Sequence, residues 1–141
     1  MVFILDHGSV FDAPLEKIWR LMFSPSEHKH PRGMKNLKVE RTANPAVRLM
    51  EWEGESQGTV FPIKWKITFY PPIGFAIDYL EGPLAGSKEF EYYVPMGNKT
   101  GITCVGEFKV AGMSDDKLRA AVMDLYEQVF REDQDNLARM K

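Results

Sequence analysis

The 141-residue chain has little of several features that would assign it to a class at once. Its one cysteine, Cys104, has no partner for a disulfide within the chain and offers no cysteine framework for a metal. Its 18 basic residues form no Lys/Arg run, and the net charge of −2 lacks the basic character of a nucleic-acid binder. No apolar run is long enough to span a membrane, and the first residues lack the basic start of a signal peptide. We therefore expect a cytoplasmic protein that neither binds nucleic acid nor spans a membrane.

Apolar and aromatic residues, by contrast, are abundant. Hydrophobic residues make up 44% of the chain, which includes seventeen aromatic side chains and eight methionines. This composition excludes intrinsic disorder, and a folded chain of this length buries roughly two-thirds of the surface of its unfolded form. The sequence contains no repeat, low-complexity tract or linker. We expect a single domain over residues 1–141.

The order of elements is predicted to be a strand, a short helix, a series of strands and a long helix. The first strand covers residues 2–10, and the short helix starts after Pro14, with Asp12 as a capping residue. Ser24-Pro25 ends this helix. Residues 27–36 are predicted to be a loop at the entrance of the interior, with Gly33 as a hinge. Ser114 is expected to cap the final helix.

The turns set the register of the strands between residues 37 and 112. A tight turn at Gln57-Gly58 places Met50 opposite Trp65, and the next turn places Ile67 opposite Ile77. One face of the sheet is therefore apolar; we call the face that carries Trp65 the inner face. The same counting puts Phe90 and Tyr92 on the inner face and Glu89, Glu91 and Tyr93 on the outer face. It also puts Asp78 opposite Glu91, an unfavourable pair of like charges.

Two short motifs and the order of elements carry a resemblance to a known superfamily. Val10-Phe11-Asp12-Ala13-Pro14 followed by Ile18-Trp19-Arg20-Leu21 resembles the opening of the START-like superfamily, which includes birch-pollen allergens, polyketide cyclases and coenzyme Q-binding proteins. The resemblance covers the whole chain. It implies an α+β helix-grip fold, in which a curved antiparallel sheet of about seven strands wraps around a long C-terminal helix, with a short helical insertion after strand 1. It also implies a pocket for a hydrophobic small molecule, but it supplies no catalytic residue.

The inner-face side chains and the stripe of the last helix form either a solid core or the lining of a cavity. Gly54 and Gly106 favour a hollow or sharply bent sheet, because glycine inside a strand marks a bend or open space. The predicted lining residues are Trp52, Phe61, Trp65, Ile67, Phe69, Phe75, Ile77, Tyr79, Phe90, Tyr92, Cys104, Phe108, Val122, Leu125 and Val129.

Four basic or titratable residues are placed at the cavity mouth. Arg41 and Arg48 either extend into solvent at the rim or face an anionic head group of the ligand. His28 and His30 would need a third ligand such as Glu27 or His7 to hold a metal. We expect a solvent-facing loop there, with no metal and no other cofactor.

The preferred function is binding of a lipid, a quinone or a polyketide-like molecule. A cyclase or aromatase is the first alternative. It would be favoured if Glu81, His7 or His28 were inside the pocket beside a tyrosine. The second is a chaperone-type interaction module, with a filled interior and an exposed patch of Tyr70, Tyr93 and Val105. The apolar stripe of the last helix could also serve a homodimer.

Overall fold

The computed structural model describes residues 1–140 and has the expected α+β architecture. Seven strands form one antiparallel sheet in the order β1-β7-β6-β5-β4-β3-β2, and two helices complete the fold. The elements are β1 Val2–Phe11, α1 Leu15–Met22, β2 Lys35–Arg41, β3 Val47–Ser56, β4 Thr59–Tyr70, β5 Gly74–Glu81, β6 Lys88–Met96, β7 Lys99–Phe108 and α2 Asp115–Arg139.

The short helix α1 lies where proline and the apolar spacing place it. Pro14 occupies the N-cap position without a side-chain hydrogen bond, so the expected capping by Asp12 is wrong. The helix ends at Met22, and the serine and proline that follow begin a series of turns. Ile18 and Leu21 are buried and fix the helix to the core.

The central hairpins have the predicted register. Met50 pairs with Trp65 and Trp52 with Ile63, on either side of the Gln57-Gly58 turn. Across the next turn Ile67 pairs with Ile77. Trp52, Ile63, Trp65, Ile67 and Ile77 consequently share the inner face and are buried, and charged residues such as Glu51 and Lys64 alternate with them on the outer face.

Strand β6 differs from the prediction and exchanges its two faces. Asp78 pairs with Lys88 instead of Glu91, a shift of three residues. Because side chains alternate along a strand, an odd shift moves each of them to the opposite face. Phe90 and Tyr92 therefore lie on the outer face, where Tyr92 is 44% exposed, and our assignment of both to the inner face is wrong.

The six residues between β5 and β6 explain this shift. No tight two-residue turn connects the strands: Tyr79 N donates to Ser87 O (3.0 Å) and Gly86 N donates to Tyr79 O (2.9 Å), which closes a wider loop. Leu84, inside that loop, is 1% exposed and anchors it to the core. Asp78 then faces the lysine that neutralises it, and Glu89, Glu91 and Tyr93 point inward.

The long helix α2 crosses the inner face of the sheet. The Ser114 side chain accepts a hydrogen bond from Lys117 N (3.3 Å) and caps the helix as predicted. A Cβ at Gly54 would lie 2.8 Å from Leu125 Cδ2, so glycine permits the close approach of β3 to the helix. Leu118, Ala121, Val122 and Leu125 are buried within the chain itself. Within residues 1–140, neither helix has the length and apolar character needed to cross a membrane.

Candidate functional site

A cavity of about 810 Å³ separates the inner face of the sheet from α2. Its volume falls within the range of small-molecule sites. Most of its wall is apolar or aromatic, and exposed residues of the wall such as Val39, Arg41 and Glu127 mark where it opens to solvent. Ten of the residues predicted from the sequence line this cavity: Trp52, Trp65, Ile67, Phe69, Phe75, Tyr79, Cys104, Val122, Leu125 and Val129.

The interior is partly filled and partly hollow. Phe61, Ile77 and Phe108, which we also placed in the lining, are at most 2% exposed and belong to packed core beside the cavity instead. Phe90 and Tyr92 are outside it on the opposite face of the sheet. The chaperone-type alternative required a filled interior, and its patch loses Tyr93, which is buried.

Carboxylates that the sequence analysis placed outside or left unassigned lie in the cavity wall. Glu89 and Glu91 of β6 and Asp6 of β1 all line it. Tyr79 Oη donates a 2.5 Å hydrogen bond to Glu89 Oε1. The other oxygen, Glu89 Oε2, is buried and has no hydrogen-bond partner among residues 1–140. Cys104 Sγ lies 3.5 Å from Glu91 Oε1 and donates to it.

Burial changes the acid–base properties of this group. Loss of solvation raises the pKa of Glu89, and it raises that of Glu91 well above the usual range, with repulsion from Glu89 as a second cause. Burial and the charge of Glu89 also raise the pKa of Tyr79 well above its ordinary value. Burial likewise raises the pKa of the Cys104 thiol, which therefore stays protonated. The cavity thus contains carboxyl groups suited to holding a proton and a phenol that remains a donor.

All four residues predicted at the mouth line the cavity, but Arg41 and Arg48 differ in how far their side chains are held by neighbours. The guanidinium of Arg48 lies 5.0 Å from the ring centre of Phe23 and 4.9 Å from that of Phe69, and it donates to Met22 O (3.2 Å). Arg41, its cross-strand neighbour, is exposed. Burial and the nearby charge of Arg41 lower the pKa of Arg48. Arg48 is therefore held in place, whereas Arg41 has its charge available at the rim.

We expected the two loop histidines to face solvent, and this is wrong. His30 is 5% exposed, and both histidines line the cavity together with Asp133 of α2. Asp133 Oδ1 lies 2.9 Å from His28 Nε2 and 3.1 Å from His30 Nε2, and the two Nε2 atoms are 2.9 Å apart. Burial lowers the pKa of His30, but the hydrogen bond and charge of Asp133 outweigh it and raise the pKa overall. The same two histidines hold the pKa of Asp133 well below its usual range despite its burial.

The loop around these histidines is fastened to α2. Glu132 accepts hydrogen bonds from Arg32 N (3.0 Å) and Gly33 N (2.5 Å), and Asn136 Nδ2 donates to Lys29 O (2.9 Å). A Cβ at Gly33 would collide with the Glu132 carboxylate. Gly33 is therefore needed for close packing, which does not support a hinge at this position.

Solved structures with the same architecture come from several kinds of protein. Zhui aromatase/cyclase from Streptomyces sp. R1128 has a TM-score of 0.79 at 11% identity, over 98% of this chain and 94% of that chain. Ara h 8.0201 has a TM-score of 0.75 at 11% identity, over 99% of both chains. The di-domain ARO/CYC protein BexL of the BE-7585A biosynthetic pathway has a TM-score of 0.71 at 11% identity, over 99% of this chain and 51% of that one.

The chain has the helix-grip fold. This confirms the fold expected from the START-like resemblance, and at these identities the likeness establishes the fold alone. No family model and no curated protein matches the sequence. What this chain binds is therefore argued from its own cavity.

Proposed function

We propose that the cavity binds a hydrophobic, oxygen-bearing aromatic small molecule of the polyketide or quinone type. The observation that carries the proposal is an aromatic wall interrupted by a buried, partly unsatisfied carboxyl group. Trp52, Trp65 and Tyr79 form an edge-to-face row, with centroid distances of 5.0 and 5.9 Å, on the inner face. Burial of ligand surface against this wall would contribute about 25 cal/mol per Å².

The polar groups favour such a ligand over a saturated acyl chain. An acyl chain against Glu89 would leave its Oε2 atom buried without a partner, which costs about 1–3 kcal/mol. A phenolic or enolic hydroxyl on the ligand can donate to that oxygen. A protonated Glu91 can in turn donate to a ligand carbonyl.

At the rim, we propose that Arg41 attracts an anionic group of the ligand. It faces the cavity opening next to the restrained Arg48, so the mouth carries two neighbouring positive charges. Lys and Glu residues elsewhere on the surface form ion pairs such as Lys35–Glu55 (2.9 Å), whereas no ion pair to Arg41 occurs within residues 1–140.

A ligand panel tests this function. Intrinsic fluorescence is a suitable signal because Trp52 and Trp65 line the cavity whereas Trp19 does not. We expect a hydroxylated anthraquinone to quench this fluorescence and to bind at least tenfold more tightly than unsubstituted anthraquinone or palmitate. The Trp19→Phe variant should retain the quenching. Tighter binding of palmitate, or no binding of either class, would overturn the proposal.

The second candidate is an aromatase/cyclase-like enzyme, favoured by Glu89 beside Tyr79 inside the cavity. We expected Glu81, His7 or His28 inside the pocket to favour an enzyme over a binding protein. Glu81 and His7 are exposed, but His28 lines the cavity. A carboxyl group with a raised pKa can protonate a ligand carbonyl, and the hydrogen bond from Tyr79 holds that carboxyl group in place. Incubation with a poly-β-ketone thioester tests this activity. Ring-closed product should appear with the native chain and fall at least tenfold with Glu89→Gln; equal product from both would exclude this role.

A further inference from the structure

We propose that His28, His30 and Asp133 are ligands of a divalent transition-metal ion at the wall of the cavity. This inference replaces our expectation of no metal, and it does not depend on which organic ligand the cavity holds. The three residues bring two imidazole nitrogens and one carboxylate oxygen within 4.8 Å of one another. Within residues 1–140, this is the group of histidine, cysteine and acidic side chains that is close enough to hold one metal ion. Imidazole and carboxylate are typical ligands of zinc, iron and other first-row metals.

The spacing of the three atoms fits one face of an octahedron. The distances between them are 2.9, 2.9 and 3.1 Å. Ligands at about 2.1 Å from a metal are about 3.0 Å apart when they are neighbours in an octahedron, and about 3.4 Å apart in a tetrahedron. The set therefore fits a two-histidine, one-carboxylate facial arrangement, as used by iron(II) with open coordination positions.

Hydrogen bonds alone do not account for this triangle. Each neutral imidazole has one N–H, so Nε2 of His28 and of His30 is either a donor or an acceptor. If both are donors, two hydrogens meet between the rings; if one is an acceptor, its lone pair meets the Asp133 oxygen. One of the three short contacts is thus repulsive in every neutral tautomer. A cation that accepts all three lone pairs makes all three contacts favourable.

The surroundings fix the ligands in advance. The backbone of residues 29–33 is held to α2 by the hydrogen bonds of Asn136 and Glu132. Glu132 Oε1 lies 3.6 Å from His30 Nδ1, which is an ion-pair distance and not a hydrogen bond, so a negative charge faces the ring nitrogen that points away from the proposed metal. All three proposed ligands line the cavity, so open metal positions would be accessible to water or to oxygen atoms of a bound molecule.

Cobalt(II) provides the direct test, because its visible spectrum reports coordination number. Protein without a histidine tag is dialysed against a chelator and titrated with CoCl₂, alongside calorimetry with FeSO₄ under anaerobic conditions. We expect one metal per chain, a Kd tighter than about 10 μM for cobalt, and the weak visible bands of a six-coordinate ion. A weaker Kd or a stoichiometry below about 0.1 would overturn the site, and strong four-coordinate bands would overturn the facial assignment.

Substitutions separate metal binding from a purely structural cluster. Asp133→Asn keeps the size and one hydrogen-bond acceptor but removes the charge, and His28→Gln changes a residue at the edge of the cluster, whose side chain is 20% exposed. Each should weaken cobalt binding at least tenfold, whereas His7→Gln, at an exposed histidine of β1, should not change it. Circular dichroism checks that the variants fold. Folded His28→Gln and Asp133→Asn proteins that bind cobalt as tightly as the native chain would overturn the proposal.

Discussion

Tyr79 Oη lies 2.5 Å from Glu89 Oε1, a hydrogen bond between neighbouring strands inside the cavity. Both residues are buried. Burial raises the pKa of Glu89, and the phenol of Tyr126 is a second neighbour that acts with Tyr79 to lower it, although the Tyr126 hydroxyl makes no hydrogen bond of good geometry within residues 1–140. The bond therefore fixes the position of a carboxyl group whose second oxygen is buried without a hydrogen-bond partner within residues 1–140.

Replacing Tyr79 by phenylalanine should destabilise the chain and weaken binding of a hydroxylated anthraquinone. Loss of the donor removes the hydrogen bond to the buried Glu89 Oε1, at a cost of about 1–3 kcal/mol. Thermal unfolding and fluorescence titration measure the two effects. Tyr92→Phe, on the exposed outer face, is the matched control and should leave both unchanged. A Tyr79→Phe variant as stable as the native chain would show that the hydrogen bond does not hold this carboxylate.

The inward position of these carboxylates shows where local sequence patterns fail. Short turns such as Gln57-Gly58 connect β3 to β4 with only one sensible register, so the central hairpins could be predicted. The loop before β6 has six residues and a buried anchor in Leu84, and nothing local fixes its length. The one available signal was the like-charge pairing of Asp78 with Glu91. Moving β6 so that Asp78 faces Lys88 removes that conflict and turns Glu89 inward.

Replacing Glu91 by glutamine should stabilise the chain, and more so at higher pH. Burial and then repulsion from Glu89 raise the pKa of Glu91, so the neutral form is favoured in the folded state. The native chain therefore loses stability as the pH rises from the ordinary glutamate pKa through the raised one. Glutamine avoids that loss.

Thermal melting between about pH 5 and pH 8 measures this effect. The Tm of Glu91→Gln should exceed that of the native chain only slightly near pH 5 and by about 3 °C near pH 8, which corresponds to about 1 kcal/mol. The control is Glu107→Gln on the neighbouring strand β7, because Glu107 does not line the cavity. The Tm difference between this variant and the native chain should not grow with pH. An advantage that is constant across this pH range would contradict the raised pKa.

Filling the cavity should reduce ligand affinity without unfolding the chain. Val129 is half-buried on α2 and lines the cavity, so Val129→Phe extends a ring into space that the ligand would occupy. We expect at least a tenfold rise in the Kd of the hydroxylated anthraquinone, or about 1.4 kcal/mol. Val105→Phe, on the outer face where Val105 is 44% exposed, should leave the Kd unchanged. Equal affinities for both variants would place the ligand elsewhere.

Cavity volume and the histidine cluster are not properties of any local pattern. Alternation along β4 predicts that Trp65 and Phe69 face inward, but whether they fill or line the interior depends on how far α2 lies from the sheet. Asp133 likewise follows His28 by 105 residues and meets it only because α2 packs on the loop. A histidine pair in a polar segment therefore gives no indication of its third partner.

Removing the positive charges at the mouth should weaken binding of an anionic ligand in a salt-dependent way. Arg41→Gln is the informative change, because this side chain is exposed and has no ion pair within residues 1–140, whereas Arg48 also packs between Phe23 and Phe69. Affinity for an anthraquinone sulfonate should fall about threefold to tenfold in about 20 mM salt, and the difference should shrink in about 500 mM salt because exposed charges are screened. Affinity for the neutral hydroxylated anthraquinone should stay the same. A similar loss for both ligands, independent of salt, would show that Arg41 shapes the opening and does not attract charge.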